Sequence, residues 1–240
     1  MKKALVYVLV FLLVLSLAAC GNNGSEESTA AINIPSSTAG IIPAENNNAT
    51  PLVTGEQKIL IAYFSRVGNT DFDSNIDAVT SASLNLQDSV LAGNTEIIAD
   101  MIQRAIGGEL FLIATANKFP ADYDTVVDLG QQQKEEDERP ELSAHVDNME
   151  DYDIVFIGFP NWWYDLPMAV YSFLEEYDFA GKTVIPFTTH EGSRFSNNDH
   201  TITSMLTGAT VLDGLAVRGG DASDAQQDVM DWLQQLGLSN

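Results

Sequence analysis

Five short apolar runs recur from residue 58 onward, with helix-like stretches between them. They read KILIAYF (58–64), ELFLIAT (109–115), DIVFIGF (153–159), KTVIPFTT (182–189) and ATVLDGLAV (209–217). Continuous apolar runs, as opposed to alternating ones, are expected of strands buried on both faces. Before the second run, Ile97, Ile98, Met101, Ile102, Ala105 and Ile106 mark one face of a helix that Gly107 and Gly108 end. Residues 121–138 read as a charged helix stopped by Pro140, and 166–177 as a helix with Pro167 in its first turn. A short helix over 199–207 and a last one over 221–236 complete the set. Such alternation predicts an α/β domain built on a parallel sheet covered on both faces. Pro186 sits awkwardly inside the fourth run, because it has no N–H to give to a neighbouring strand. Ligands of such sheets sit beyond the carboxyl ends of the strands, so the loops there carry the functional argument.

The start of the chain has another character. Lys2 and Lys3 precede an apolar run from Ala4 to Leu15, and Leu17-Ala18-Ala19-Cys20 comes next. The run is short for a membrane span and ends in small residues, so residues 1–19 read as a signal peptide. Cys20 is the one cysteine, and its Leu-Ala-Ala prefix resembles a bacterial lipobox. That resemblance implies cleavage before Cys20, lipidation of its thiol, and an extracytoplasmic protein held to the bacterial cell membrane by a lipid anchor. An ordinary signal peptide ending near a cysteine is the alternative. One cysteine allows no internal disulfide, and a domain of this size buries enough core without one. Residues 20–57, rich in Asn, Ser, Ala, Gly and Thr, carry too little apolar surface to fold and read as a disordered tether. Residues 58–240 remain as one domain by size. The formal net charge is −23. Such a surface repels nucleic acid and anionic lipid head groups; it favours a basic partner or serves solubility alone, and charge by itself does not choose.

The first apolar run leads into Tyr63-Phe64-Ser65-Arg66-Val67-Gly68-Asn69-Thr70. Hydroxyls, a glycine and an asparagine before a helix N-terminus suit a phosphate, because N–H groups and the helix dipole favour negative charge there. No Walker lysine and no GxGxxG accompany them, so nucleoside triphosphate and dinucleotide motifs are absent. Gly-Asn-Thr occurs twice, at 68–70 and 93–95, and a strong helical stripe comes only after the second copy. The simplest account is an insertion of about residues 68–92 within the loop. With it excised the text reads YFSRV-GNT-EIIADMI, an apolar strand, an aromatic, Ser, a turn, then Thr95 with Ala99 four residues on. That edited text resembles the flavodoxin signature. The resemblance, over 58–240, implies a flavodoxin-like three-layer α/β sandwich, a five-stranded parallel sheet in the order 2-1-3-4-5, and FMN as cofactor. It implies that this loop wraps the FMN phosphate, with Ser65, Asn94 and Thr95 the best matches and Arg66, Val67 and Gly93 beside them, while Gly68 to Thr70 either contribute or belong only to the insertion. Arg66 is the one charged candidate, its side chain either in the site or out in solvent.

Two further loops match the family. The third run ends in Pro160-Asn161-Trp162-Trp163-Tyr164, similar to the PxWW loop of flavodoxin-related proteins. A flavin needs a flat apolar clamp and a few polar groups at its edge. One tryptophan would stack on the ring while the other packs inward, although three core plugs would read the same. The fourth run leads into Thr188, Thr189, His190 and Gly192, the place of the family's other flavin loop. Here the chain departs from long-chain flavodoxins, because no tyrosine is present; His190 or Phe195 is left to cover the second face. His190 as a proton donor competes with a merely hydrogen-bonded loop histidine. No metal-ligand spacing and no GxSxG elbow is present. The functional expectation is extracytoplasmic electron transfer with a redox partner protein or membrane reductase. An FMN-dependent NAD(P)H/quinone oxidoreductase and a flavin-binding protein without redox duty are the competing readings.

Overall fold

The computed structural model describes residues 57–73, 83–87 and 90–239. The expected signal peptide, Cys20, almost all of the tether and the middle of the insertion lie outside the described residues. The elements are β1 (Ile59–Tyr63), a hairpin of β2 (Leu84–Gln87) and β3 (Val90–Gly93), α1 (Asn94–Ile106), β4 (Glu109–Leu112), α2 (Tyr123–Glu135), β5 (Ile154–Pro160), α3 (Met168–Glu176), β6 (Thr183–His190), α4 (Asn198–Met205), β7 (Thr210–Val211), β8 (Leu215–Arg218) and α5 (Gln226–Gln235). The main sheet runs β4-β1-β5-β6, with β7 and β8 both on the far side of β6, and every pair in it is parallel. With the hairpin set aside and β7–β8 counted as one broken strand, the order is the expected 2-1-3-4-5.

Alternation along each strand divides the core in two. Leu60, Ala62, Val155, Ile157 and Phe159 face one side, against Val126 of α2, Ala169, Val170 and Phe173 of α3 and Ile202 of α4. Ile59, Ile61, Tyr63, Ile154 and Phe156 face the other, against Ile97, Ile98, Met101 and Ile102 of α1 and Val229, Trp232 and Leu233 of α5. Helices therefore cover both faces, and the molecule is a three-layer sandwich. The central β5 is buried at all seven positions, so truncating one of its large apolar side chains costs about 2–5 kcal/mol.

The fifth run breaks where the fourth carries its proline. Val184 of β6 pairs with Val211, and Phe187 pairs with Leu215. Three residues, 212–214, thus lie opposite two, 185 and 186, which is the count of a bulge. Pro186 is tolerated there because a ladder with one residue too many loses pairing locally whatever the side chain. The second run is also shorter than its apolar text. Past Leu112, Ile113 N–H still donates to the Tyr63 carbonyl at 2.8 Å. Beyond that, the Asn69 side chain takes the neighbouring strand's place. Its Nδ2 donates to the Ile113 carbonyl at 3.0 Å and its Oδ1 accepts from Thr115 N–H at 2.8 Å. The last helix starts late as well, with residues 219–224 wound as a 3₁₀ turn before α5.

Candidate functional site

The two copies of Gly-Asn-Thr lie in different surroundings. Asn69 is fully buried. Besides its bonds to Ile113 and Thr115, it donates to the Ser65 carbonyl at 2.8 Å, and its own carbonyl accepts from Phe119 N–H at 2.7 Å. The first copy is spent on tying the loop after β1 to the loop after β4. The second copy opens α1, with Gly93 as the N-cap. Gly93 N–H donates to the Glu96 carboxylate at 3.0 Å, and Asn94 N–H donates to the Ser83 carbonyl at 3.0 Å. A side chain at 93 is impossible without movement, because a Cβ there would lie 1.9 Å from Ser65 Oγ. Ser65 is buried, and its hydroxyl accepts from Val67 N–H at 3.1 Å. Burial pushes the Glu96 carboxyl up, against the pull of its N–H bond to Gly93. Thr95 is buried and shares a 2.9 Å hydroxyl–hydroxyl bond with Thr189 of β6, which joins the two loops from inside.

Arg66 is buried at 1% exposure and does not extend into solvent. Its Nη2 donates to the carbonyls of Pro120 and Ala121, both at 3.0 Å, and its guanidinium stands 5.1 Å from the centre of the Phe72 ring. Burial lowers its pKa, and Asp122 opposes that shift. Its side chain reaches the wall of a cleft of about 510 Å³ above the carboxyl ends of β1, β5 and β6.

The aromatic run after β5 is part core plug and part exposed clamp. Trp162 packs edge-on against Phe64 and Phe119, with ring centres 5.4 and 5.7 Å away. Trp163 and Tyr164 are 40% and 72% exposed. They are the two central residues of a tight turn closed by Trp162 N–H to Asp165 O at 3.0 Å and Asp165 N–H to Trp162 O at 2.9 Å. Their φ angles are +53° and +63°, as a type I′ turn requires, where Asn-Gly is the usual choice. Bulky residues in that conformation cost about 1–3 kcal/mol each and persist only when the surroundings fix them. Helix α2 does the fixing. Trp163 Nε1 donates to the Val127 carbonyl at 3.0 Å, while Lys134 Nζ donates to the Trp163 carbonyl at 2.7 Å and pairs with Asp165 at 3.2 Å. Gly130, in the middle of α2, leaves a flat seat: a Cβ there would lie 3.4 Å from the Trp162 ring.

The loop after β6 forms the opposite wall. Asn161 N–H donates to the Thr189 carbonyl at 2.8 Å, and the Asn161 amide donates to the Arg194 carbonyl and Ser196 Oγ at 2.7 and 3.0 Å. His190 Nδ1 accepts from Gly192 N–H at 2.9 Å, which leaves the ring proton of neutral imidazole on Nε2. Burial first, then Arg194 and Arg218, push its pKa below the usual histidine range. Phe195 packs edge-on against Phe159, 6.2 Å between centres, and lies half-buried against the core. Of the two candidates for the second face, His190 is the one on the cleft wall.

The cleft brings together Arg66, Asn94, Asn161, Trp162, Trp163, Tyr164, Thr189, His190 and Gly192. Ser65, Val67, Gly93, Thr95, Pro160 and Thr188 stand behind it; the Thr188 hydroxyl, for example, donates to the Phe159 carbonyl at 2.9 Å. Sequence reasoning missed Ser83, Tyr123, Val126, Val127, Gly130, Glu191 and Ser193, which also line it. A glycine in the middle of a charged helix was the available signal for α2, since Gly there costs about 1 kcal/mol relative to Ala. Ser83 gave none.

Residues 83–236 match the family model described as Flavodoxin. The chain belongs to the flavodoxin family, whose cofactor is FMN. No curated protein matches it. It is similar in structure to a protein assigned as a flavoprotein from Bacteroides eggerthii DSM 20697, at 25% identity and a TM-score of 0.55 over 75% of this chain and 97% of that one. A second, from Bacteroides uniformis ATCC 8492, is 27% identical with a TM-score of 0.55 over 74% and 98% of the two chains. A flavoprotein from Lactobacillus acidophilus NCFM, solved in complex with FMN, is 20% identical with a TM-score of 0.49 over 71% and 99%. The cleft fits an FMN-sized group on its own chemistry. Asn94 at the head of α1, the buried Arg66, the exposed Trp163 and Tyr164 and His190 line the same cleft.

Proposed function

We propose that this protein binds FMN in the cleft and works as an extracytoplasmic electron carrier, held to the bacterial membrane through a lipid on Cys20. One observation carries the reading. An anion seat at the head of α1 and an aromatic clamp on Trp163 and Tyr164 share one cleft at the carboxyl edge of the sheet. FMN, when bound, supplies the chemistry of taking up and releasing electrons. The protein supplies binding and surroundings. The first turn of α1, Asn94 and the Arg66 charge favour a phosphate. Trp163 and Tyr164 offer flat apolar surface and keep water from one side of the ring site. His190 holds its proton on Nε2 and stays uncharged at neutral pH. A net charge of −23 opposes added negative charge on a bound group, an effect that salt weakens.

A second reading, an FMN-dependent reductase of a quinone or similar small molecule, is favoured by that Nε2 proton at the wall of an open cleft. Absorbance of the purified protein, with FMN added and then reduced in steps without oxygen, separates the two. The carrier reading expects flavin bands that shift on binding and two separable one-electron potentials. Reduction in a single two-electron step, with steady NAD(P)H-dependent turnover of a quinone, would replace it by the reductase. Bands unmoved by the protein would overturn both. For the anchor, Cys20→Ser is expected to move the protein from the membrane to the soluble fraction, and an unchanged distribution would contradict lipidation.

A further inference from the structure

Ser83, on the cleft wall, touches both the head of α1 and the aromatic loop after β5. Its carbonyl accepts from Asn94 N–H, 3.0 Å away, at the head of α1. Its hydroxyl accepts from Trp162 Nε1 at 3.3 Å. It is 8% exposed, lies on the cleft wall, and is followed by Leu84, which is 1% exposed and pairs with Gly93. The hairpin it begins leans on α1 and on the 219–224 turn. Its backbone is left-handed, with φ at +64°. A glycine would adopt that angle without strain; the serine adds a hydroxyl where helix head and indole are both within its reach. An outlier of this kind points to use.

We propose that Ser83 is a positioning residue and that it acts as a strap, coupling the head of α1 to the aromatic loop after β5. The carbonyl holds the first residue of α1, and the hydroxyl fixes the Trp162 ring on which the Trp163–Tyr164 turn is built. Because the hydroxyl accepts from the indole, its own proton is left as a donor on the cleft wall. Ser83 is therefore part of the cofactor site. This inference rests on the FMN reading, so its test has one readout that needs no cofactor.

Ser83→Ala, Trp162→Phe and the double variant are compared with the wild type in FMN titrations and in indole emission of the ligand-free protein. Trp162→Phe keeps an aromatic ring and removes the N–H. Each single change is expected to weaken FMN binding about ten-fold, the loss of one hydrogen bond to a buried partner. The double variant is expected to be no weaker than the weaker single, since both remove the same bond. Ligand-free Ser83→Ala is expected to emit further to the red as water reaches Trp162 Nε1. Ser83→Gly, which suits the backbone angle, serves if Ser83→Ala does not fold. Wild-type FMN affinity in both singles, or a double loss equal to the product of the single losses, would overturn the strap. A wild type without FMN affinity would instead overturn the cofactor reading, and unchanged indole emission would then overturn the strap by itself.

Discussion

The chain carries Gly-Asn-Thr twice, and the two copies do opposite work. In the first, Asn69 is fully buried and its side chain stands in for a missing strand, bonding to Ser65, Ile113 and Thr115. In the second, Gly93 caps α1 and Asn94 lies on the wall of the cleft. Both asparagines are buried, so burial does not separate them; the residues downstream of each copy do. After Thr95 comes an apolar stripe that docks a helix on the sheet, and the N-terminus of that helix is what leads us to propose the tripeptide as an anion seat. After Thr70 there is no such stripe, and the same tripeptide becomes a structural tie. A short motif takes its role from the element it opens.

That contrast can be broken in order of size. Asn69→Ala should do most harm to the fold and least to the site. It strands the Ile113 and Ser65 carbonyls and Thr115 N–H, at a cost of about 3 kcal/mol, or a fall of about 10 °C in Tm for a domain this large. FMN affinity of the folded protein should hardly move, and an unchanged melting curve would contradict the tie. Gly93→Ala should reach the site as well as the fold. Its Cβ meets Ser65 Oγ, so beside a stability cost of about 1–3 kcal/mol the head of α1 must shift, and FMN binding is expected to weaken about ten-fold. Binding as tight as wild type would place the phosphate elsewhere. Tyr164→Gly tests the clamp facing the second copy. Relief of its left-handed backbone should stabilise the fold by about 1 kcal/mol, read by chemical denaturation, while FMN binds less tightly. Loss of both would show that the turn is not strained.

The smallest expected effect is in pH. The His190 pKa lies below its unfolded value, so between the two the unfolded chain binds more protons and stability rises with pH. Acidification from pH 7.5 toward 5 should therefore destabilise the wild type more than His190→Gln. Equal slopes in the two proteins would remove His190 from that account.

Much of this was legible because the sheet is buried on both faces. A strand such as β5 writes itself as one apolar run, and the strand order came from the family those runs resemble. The stripe Ile97 to Ile106 gave α1 for the same reason. The break between β7 and β8 was not legible, since a bulge depends on register against β6, and register is set between strands. Pro186 and the Asp213-Gly214 pair inside the run were its traces. In the site, the aromatic run and the second Gly-Asn-Thr could be read locally. Arg66 could not be placed, because the carbonyls that hold it belong to Pro120 and Ala121, more than fifty residues on. The α2 wall and Ser83 were missed because they line the cleft through tertiary packing and carry no motif.

The central claim is that the cleft takes FMN by its phosphate as well as by its ring. Comparing the dissociation constants of FMN and riboflavin, by flavin fluorescence with the purified protein, tests it most directly. FMN is expected to bind at least about ten-fold tighter, the worth of one good charge-assisted contact. Equal affinity for the two would contradict a phosphate seat at α1, and no binding of either would contradict the cofactor site itself.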